Sequence, residues 1–275
     1  MLAQEFMRNA LVTGSVVGIA CGLVGWFVVL RAQVFAGDAL SHVAFTGALA
    51  AAAIGIDIKA GLFVATILGG AAIGVLGDRA RADDAVIGTI FAWVLGVGVL
   101  CLSIFTTNAS GANGTAGVRV LFGSIFGLSP SDVRTSLVLA AAAALVLVVV
   151  ARPLLFASVD AGVAAAQGVP VRVLGALFLA LVGLVAAEAT QAVGALLLLG
   201  LLSAPAAAAH RLTARPWAGL GLSAFLALAS VWSGLSLAYA FPTLPPSTMV
   251  TAVAVAMYAG AMSCPGLGRL TRVNP

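Results

Sequence analysis

Residues 35–44 read FAGDALSHVA and place an aspartate and a histidine four positions apart within a long apolar region. Side chains at positions i and i+4 of a helix share one face, with Cβ atoms about 5–6 Å apart. One cation can therefore contact both Asp38 and His42. Ionisable side chains inside membrane-spanning segments are costly and usually functional, so this pair is the first candidate site in the chain.

The composition around this stretch predicts an integral membrane protein. Of the 275 residues, 62% are hydrophobic and only 8% are charged, whereas a soluble domain carries roughly 25% charged residues. The net charge of +4 comes from arginines scattered between apolar segments, and Lys59 is the single lysine. These proportions exclude a disordered chain and a basic nucleic-acid-binding groove.

Apolar runs long enough to cross a bilayer recur along the whole sequence. A span needs about 20 mostly apolar residues, and such runs predict an all-α integral membrane protein with eight or nine transmembrane helices. Residues 1–275 are expected to form a single transmembrane domain. The predicted spans cover approximately residues 9–30, 35–56, 61–77, 85–105, 135–151, 173–209 in two passes divided at 188–191, 216–241 and 248–263.

Three segments between the predicted spans differ in character. Residues 108–117 are polar and glycine-rich, which predicts an exposed loop. Residues 118–128 are apolar but too short to span, so we expect them at the membrane interface or in a re-entrant segment. Residues 152–172 form the longest non-spanning segment of the second half, and their alanines suit a short helix.

Counts of arginine and lysine on each side predict the orientation, because short cytoplasmic loops are enriched in both. With the N-terminus outside the cell, nine arginines fall on the cytoplasmic side and four basic residues on the outer side. This orientation places residues 152–172 in the cytoplasm. Asp38 and His42 follow Arg31 by seven and eleven residues, or roughly 10–16 Å along a helix, close to the middle of a core of about 30 Å.

The chemistry of Asp38 and His42 suits a transition-metal site on a transport path. Imidazole nitrogen binds zinc, iron and manganese, and carboxylate oxygen suits manganese and zinc. Two ligands hold a metal ion weakly, but a symmetric dimer that meets at this helix would supply four. The alternative is a polar pair that only forms hydrogen bonds with neighbouring helices.

Other polar residues are weaker candidates. Glu188 is a candidate second polar station if it lies within the membrane, but the sequence favours a helix-end carboxylate that faces water between two spans. His210 is expected to be a solvated residue at the inner end of a helix. No CxxC pair is present, so Cys21, Cys101 and Cys264 are expected to be small buried hydrophobic residues.

Four stretches resemble, in the same order, parts of the bacterial ABC permeases for zinc, manganese or iron. They are residues 30–51 (LRAQVFAGDALSHVAFTGALAA), 120–133 (VLFGSIFGLSPSDV), 159–171 (VDAGVAAAQGVPV) and 191–212 (QAVGALLLLGLLSAPAAAAHRL). The resemblance implies a homodimeric permease subunit in a bacterial plasma (inner) membrane. It also implies two kinds of partner, cytoplasmic ATP-binding subunits and an extracellular metal-binding protein.

The resemblance also assigns roles to individual residues. In that family the second-helix aspartate and histidine of both copies form the metal site, which implies that Asp38 and His42 bind transported Zn²⁺ or Mn²⁺, with iron as a further option. Segment 152–172 would contact the ATPase, with Asp160, Ala164 and Gly168 at matching positions. Asp160 is also expected to be the N-cap of a short helix.

The sequence contains no Walker A motif, because its only lysine does not lie in a GxxxxGK[ST] context. We therefore expect no ATP hydrolysis and no permanently bound cofactor in this chain, with ATP bound by a partner subunit. Two alternatives stay open. A proton-coupled secondary metal transporter would use the same pair without an ATPase. An ABC permease for a larger chelate would need a wide cavity, and the ionisable pair at the centre counts against that function.

Overall fold

The computed structural model describes residues 4–80, 84–108, 123–195, 197–241 and 243–263. No strand occurs among these residues, and one turn of 3₁₀-helix spans Ile125–Gly127. The predicted loop and short apolar segment fall largely on residues 109–122, which lie outside the described residues. The α-helices in the described ranges are α1 (Glu5–Leu30), α2 (Val34–Ala53), α3 (Ile58–Ala80), α4 (Asp84–Asn108), α5 (Pro130–Val159), α6 (Ala161–Ala166), α7 (Val171–Ala192), α8 (Leu198–Leu212), α9 (Pro216–Ala240) and α10 (Pro246–Ser263).

The predicted all-α membrane bundle is confirmed. Six helices in the described part of the chain are long and apolar enough to cross a membrane, namely α1, α2, α3, α5, α7 and α9. Helix α4 contains a shorter apolar stretch, Phe91–Ile104, while α8 and α10 have 15 and 18 residues. Because α6 has only six residues, nine longer helices occupy the described ranges, in agreement with the eight or nine predicted spans.

Helix α5 extends past residue 151, where the fifth span was predicted to end. It continues through Arg152 and Pro153 to Val159, so residues 152–159 of the predicted non-spanning segment belong to this helix. A capping box at Ser129, with Pro130 in the first turn, fixes the start of the helix. The apolar residues 154–157 pack into the bundle and carry the helix past Arg152, whose long side chain reaches the surface.

The predicted division of residues 173–209 was also wrong. Helix α7 includes the expected break at residues 188–191 and ends at Ala192, and the chain turns at residues 193–197 before α8. Gly194 has φ of +95°, a conformation that glycine adopts at little cost. The chain therefore turns where glycine allows the left-handed backbone conformation. The Glu188 carboxylate, which had suggested a break, lies inside the bundle.

Helices α1, α2 and α7 form the centre of the bundle. In the most apolar window of each, 67%, 61% and 61% of the residues are buried, compared with 17% in α3 and 28% in α5. Helix α7 packs against α1, α2, α3 and α5, and α1 packs also against α8 and α9. Helix α4 lies at the edge and packs mainly against α2. The candidate pair on α2 is thus held by a central helix.

Small residues allow the close contacts between these helices. A side chain at Gly25 would meet the backbone of Leu202 on α8, and one at Gly70 would meet the backbone of Leu179 on α7. Backbones that approach so closely are typical of helix packing in membranes, where small residues replace the hydrophobic driving force of water. The glycine-rich and alanine-rich spans thus explain how nine long helices in the described ranges pack against one another.

Contacts between helix ends agree with the predicted alternation of the spans. Lys59 at the start of α3 forms an ion pair with Asp132 at the start of α5. Arg31, just after α1, donates a hydrogen bond to Ser158 near the end of α5, at 3.2 Å. The first contact joins two predicted outer ends and the second joins two predicted inner ends. Which end faces the cytoplasm stays a prediction from the arginine count.

Candidate metal centre

Asp38 and His42 lie in the second and third turns of α2. The helix begins at Val34, with only three residues between it and the end of α1, and continues to Ala53. Both side chains are half-buried, whereas Leu40 and Ser41 between them are 0% and 1% exposed and face the core. The predicted i, i+4 arrangement is therefore present on a helix, and the pair occupies a different face of α2 from its core residues.

The imidazole of His42 is enclosed by α4. Its ring meets the Phe91 ring edge-on, with the centroids 4.8 Å apart. Its Nδ1 atom is buried and has no hydrogen-bond partner among the described residues. Buried polar atoms are nearly always paired, and a metal-binding histidine normally uses both of its nitrogens. A ligand bound to Nδ1 would offset the free-energy cost of leaving this atom buried and unpaired. The unpaired Nδ1 therefore supports a ligand site on this face of α2.

Thr46 extends the same face by one more turn. Its hydroxyl donates a hydrogen bond to the carbonyl of Val94 on α4, at 3.0 Å. Gly98, one turn along α4, lies directly against Thr46, since a side chain there would collide with the threonine oxygen. These contacts and Phe91 hold α4 over the end of the polar face that contains His42. Sequence reasoning missed Phe91, because nothing in its spacing indicates which helix would cover the imidazole.

One copy of the chain supplies an incomplete set of metal ligands. Within the described residues, no group of three or more histidine, cysteine, aspartate and glutamate side chains comes together. The ion pair found there joins Lys59 to Asp132 and leaves Asp38 outside it. A carboxylate and an imidazole fall short of the four ligands that zinc takes and of the six that octahedral ions take. A metal ion at this pair would need ligands beyond those that the described residues bring together here.

Glu188 lies inside the bundle, and the prediction of a helix-end carboxylate facing water was wrong. The residue is 1% exposed and sits one turn before the end of α7. Neither carboxyl oxygen has a hydrogen-bond partner in the described structure. Because no cluster of three such ligands is present there, Glu188 does not join Asp38 and His42 in one site. It is a separate buried acidic group.

The segment around α6 has the predicted local structure. Asp160 ends α5 and caps α6, where its carboxylate accepts a hydrogen bond from the Val163 amide at 2.9 Å. Ala164 is fully buried, and Gly168 follows the helix with φ of +84°. The predicted short helix and N-cap are therefore confirmed. Beside them lies an open cavity of about 490 Å³, lined by Ala161, Gly162, Ala165 and residues 170–173.

His210 is not the solvated residue that the sequence predicted. Its ring stacks on Trp26 of α1, with the centroids 4.9 Å apart and the planes inclined by 17°. Its Nε2 also lies 3.0 Å from the Trp26 carbonyl oxygen. The residue thus joins α8 to α1. Cys21 is buried and Cys101 is partly buried, each with a free thiol, and Cys264 lies outside the described residues.

A model of the ABC 3 transport family matches residues 3–265, nearly the whole chain. The chain belongs to the ABC 3 transport family. Its family membership agrees with the multi-pass helical bundle and with the metal ABC transporter permeases that residues 30–51 and the three other motifs had indicated.

Several relatives of this ABC 3 family chain are named for manganese, and one, YfeD of Yersinia pestis, is named for chelated iron. The chain is 29% identical over 276 residues to the manganese transport system membrane protein MntC of Halalkalibacterium halodurans, covering 99% of this chain and 92% of MntC. It is 31% identical over 253 residues to the manganese import system permease protein ScaB of Streptococcus parasanguinis, covering 91% and 88%. Among solved structures, PsaBC from Streptococcus pneumoniae in complex with Fab matches with a TM-score of 0.82, at 28% identity over 94% of this chain and 91% of that one.

Proposed function

We propose that this chain is the membrane-spanning subunit of an ABC importer that carries a divalent transition metal, Mn²⁺ in the first place, into a bacterial cell across its plasma membrane. The observation that carries the proposal is the partly buried Asp38 and His42 pair on one face of α2, with Nδ1 of His42 unpaired. The names of the relatives support manganese, and an aspartate with a histidine suits that ion as well as zinc.

The ion would be held between two copies of the chain. Two protein ligands from one copy are too few, and a second copy related by a twofold axis would add the same two side chains. Four protein ligands satisfy tetrahedral zinc, and two added waters complete six positions around Mn²⁺. Metal analysis of the purified complex should then give one ion for every two chains.

Energy for transport would come from separate cytoplasmic ATP-binding subunits, with an extracellular protein delivering the metal. The contact surface for those subunits would be the segment that contains Asp160, Ala164 and Gly168. Val159 and Val163 expose apolar side chains there, 77% and 47% of their surfaces, beside the open cavity. Exposed apolar groups next to a concave surface suit a protein partner.

Glu188 is proposed as a second polar station that is separate from the metal pair. A buried carboxylate without hydrogen bonds is costly, so the group either holds a proton or pairs with a cation during transport. Its position one turn from the end of α7 places it nearer the predicted outer surface than Asp38. A proton or a passing cation would remove the cost of its charge.

The decisive experiment is uptake of Mn²⁺ by liposomes that contain the permease together with its ATP-binding subunits. Asp38→Asn and His42→Ala should each abolish uptake while assembly with the ATPase and its basal hydrolysis persist. Ser41→Ala, on the core face of the same helix, serves as the control and should retain uptake. Normal uptake in both site variants would remove the proposal, and competition by Zn²⁺ and Fe²⁺ would rank the metals.

The same liposomes distinguish the proton-coupled alternative. If the chain is a secondary transporter, the permease alone should accumulate Mn²⁺ when a pH gradient is applied, with no ATP present. An ABC importer should accumulate none under those conditions. Uptake of a haem-type or siderophore-type chelate that free Mn²⁺ fails to inhibit would instead indicate a permease for larger ligands.

A further inference from the structure

Arg31 lies in the link between α1 and α2, and its side chain reaches two further helices. Its Nη1 donates a hydrogen bond to the Ser158 hydroxyl near the end of α5, at 3.2 Å. Its Nε donates to the side-chain oxygen of Gln33 within the link, at 3.1 Å. The guanidinium also lies over the ring of Phe178 on α7, 5.5 Å from the centroid. One side chain thus joins the start of α2 to α5 and α7.

The link itself is tight. Residues 31–33 each donate a backbone hydrogen bond to the last turn of α1, at 2.9–3.1 Å. Ala32 has φ of +54°, a left-handed conformation that is uncommon outside glycine. The carbonyl of Gln33 accepts hydrogen bonds from Ala36 and Gly37 in the first turn of α2. A displacement of Arg31 is therefore passed into α2, because no slack loop lies between them.

The other end of the contact is attached just as closely to α6. Ser158 precedes Asp160 by two residues, and its hydroxyl donates to the carbonyl of Leu154 at 2.6 Å while it accepts from Arg31. The amide of Asp160 still bonds to Phe156 of α5, and its carboxylate caps α6. The last turn of α5, where Ser158 lies, therefore joins α6 through Asp160 with no intervening loop.

We propose that Arg31 is the positioning residue that transmits movement of residues 160–168 to α2 and so to Asp38 and His42. The inference rests on the proposed function, since it takes ATP-binding subunits to act on that segment. Asp38 follows Arg31 by seven residues, roughly 10 Å along a helix, so a shift at the link changes the position of the pair. Arg31 does not contact the ion in this proposal; it acts through α2.

A competing route bypasses Arg31. Helix α7 begins at Val171, soon after α6, and packs directly on α2, where Gly37 faces Val182. If movement of α6 reaches α2 mainly through this packing, the Arg31 contacts stabilise the fold but have no role in transport. A test must therefore measure movement of α2 and not only stability.

The experiment uses the assembled transporter with its ATP-binding subunits, in a background where Cys21, Cys101 and Cys264 are replaced by alanine. A cysteine is introduced at Ile54, which is 71% exposed at the end of α2 and lies on a different face from Asp38 and His42. Its rate of labelling by a soluble thiol reagent is measured with and without ATP. Arg31→Gln and Ser158→Ala each remove the hydrogen bond from a different side. Arg134→Gln removes an exposed arginine from α5, outside residues 152–172, and is the matched control.

We expect ATP to change the labelling rate in the parent protein and in Arg134→Gln. In Arg31→Gln and Ser158→Ala that change should disappear while ATP hydrolysis stays within about twofold. Mn²⁺ transported per ATP should fall about tenfold, the factor that corresponds to a lost hydrogen bond to a charged group. Arg31→Lys should restore little, because an ammonium cannot reproduce contacts to Gln33 and Ser158 at once.

An unchanged ATP response in Arg31→Gln or Ser158→Ala would overturn the inference and favour the route through α7. A parent protein whose α2 labelling ignores ATP would overturn it as well. Failure of the proposed function gives a different result. The liposomes would then take up no Mn²⁺, although the ATP response at position 54 could still be compared between variants. Ser158→Ala preserves the arginine, so it remains informative if Arg31→Gln assembles poorly.

Discussion

The Phe91 ring and the imidazole of His42 form a T-shaped contact, with the two centroids 4.8 Å apart and the planes inclined at 87°. This contact joins α4 to α2 at the candidate site. One turn further along α2, the hydrogen bond from Thr46 to the Val94 carbonyl joins the same two helices. Because Nδ1 of His42 has no hydrogen-bond partner, packing by Phe91 is what fixes the orientation of the ring.

Replacing Phe91 by alanine should therefore weaken metal capture. An edge-to-face aromatic contact contributes about 0.5–1.5 kcal/mol, and releasing the imidazole should raise KM for Mn²⁺ uptake roughly twofold to tenfold by the usual conversion. Uptake kinetics in liposomes measure the change. Trp93→Ala, which removes a 74% exposed aromatic from the same helix, should leave KM as it was. Equal KM values in both variants would show that Phe91 does not position His42.

Replacing Glu188 by leucine should stabilise the protein. The carboxylate is 1% exposed and unpaired, and an unsatisfied buried polar group costs about 1–3 kcal/mol. Thermal unfolding in detergent should give a higher Tm for Glu188→Leu than for the parent, with Glu188→Gln between them. If Glu188 is a polar station, Mn²⁺ uptake should fall in both variants despite the gain. A lower Tm for the leucine variant would mean that the carboxylate has a stabilising partner in the folded protein.

Removing Lys59 and removing Asp132 should lower the free energy of unfolding by different amounts, although the two residues form one ion pair. Lys59 is 52% exposed at its side chain, and surface pairs contribute only about 0–1 kcal/mol. Asp132 also accepts hydrogen bonds from the Ser129 amide and hydroxyl in the capping box of α5. Asp132→Ala should thus lower the free energy of unfolding by about 1–2 kcal/mol more than loss of the ion pair alone would.

Thermal unfolding at low and high salt separates the two contributions. Lys59→Met should change Tm slightly, and the difference from the parent should vanish at high salt because screening removes a surface pair. The Asp132→Ala loss should persist at high salt, since the capping box is local. Equal losses for the two variants would contradict a separate capping role for Asp132.

Gly194 should be intolerant of a side chain. Its φ of +95° is rare for other residues, and the backbone of Gly123, itself at φ of +69°, packs against its amide. Backbone strain of this kind costs about 1–3 kcal/mol, so Gly194→Ala should lower the free energy of unfolding by that amount. Gly221→Ala, in α9 where a side chain meets open space, should be neutral or stabilising. A neutral Gly194→Ala would contradict the need for glycine in this turn.

Helix boundaries show where sequence reasoning worked and where it failed. The starts of α9 and α10 and the short helix α6 were predicted well, because prolines and the Asp160 cap act locally. The ends of α5 and α7 were misplaced, because Arg152 and Glu188 were taken as marks of a surface. Whether a charged residue ends a helix depends on what surrounds it, and neighbouring helices supply that information.

The candidate site also has features that the sequence predicted and features that only the structure shows. Spacing alone placed Asp38 and His42 on one helix face, since the helical repeat is a local property. Nothing local indicated that Phe91 would cover the imidazole or that Arg31 would reach Ser158, 127 positions away in the chain. Such contacts depend on which helices become neighbours.

The sequence by itself determined that this chain is an all-α membrane bundle and that an aspartate and a histidine share a face of its second helix. Both follow from apolar content and helical periodicity, which act over a few turns. Only the tertiary structure decided that Glu188 of α7 lies inside the bundle, that α4 packs on His42 and that Arg31 joins α2 to the end of α5. Those outcomes depend on close packing between distant helices, where glycines and alanines determine how near two backbones can come.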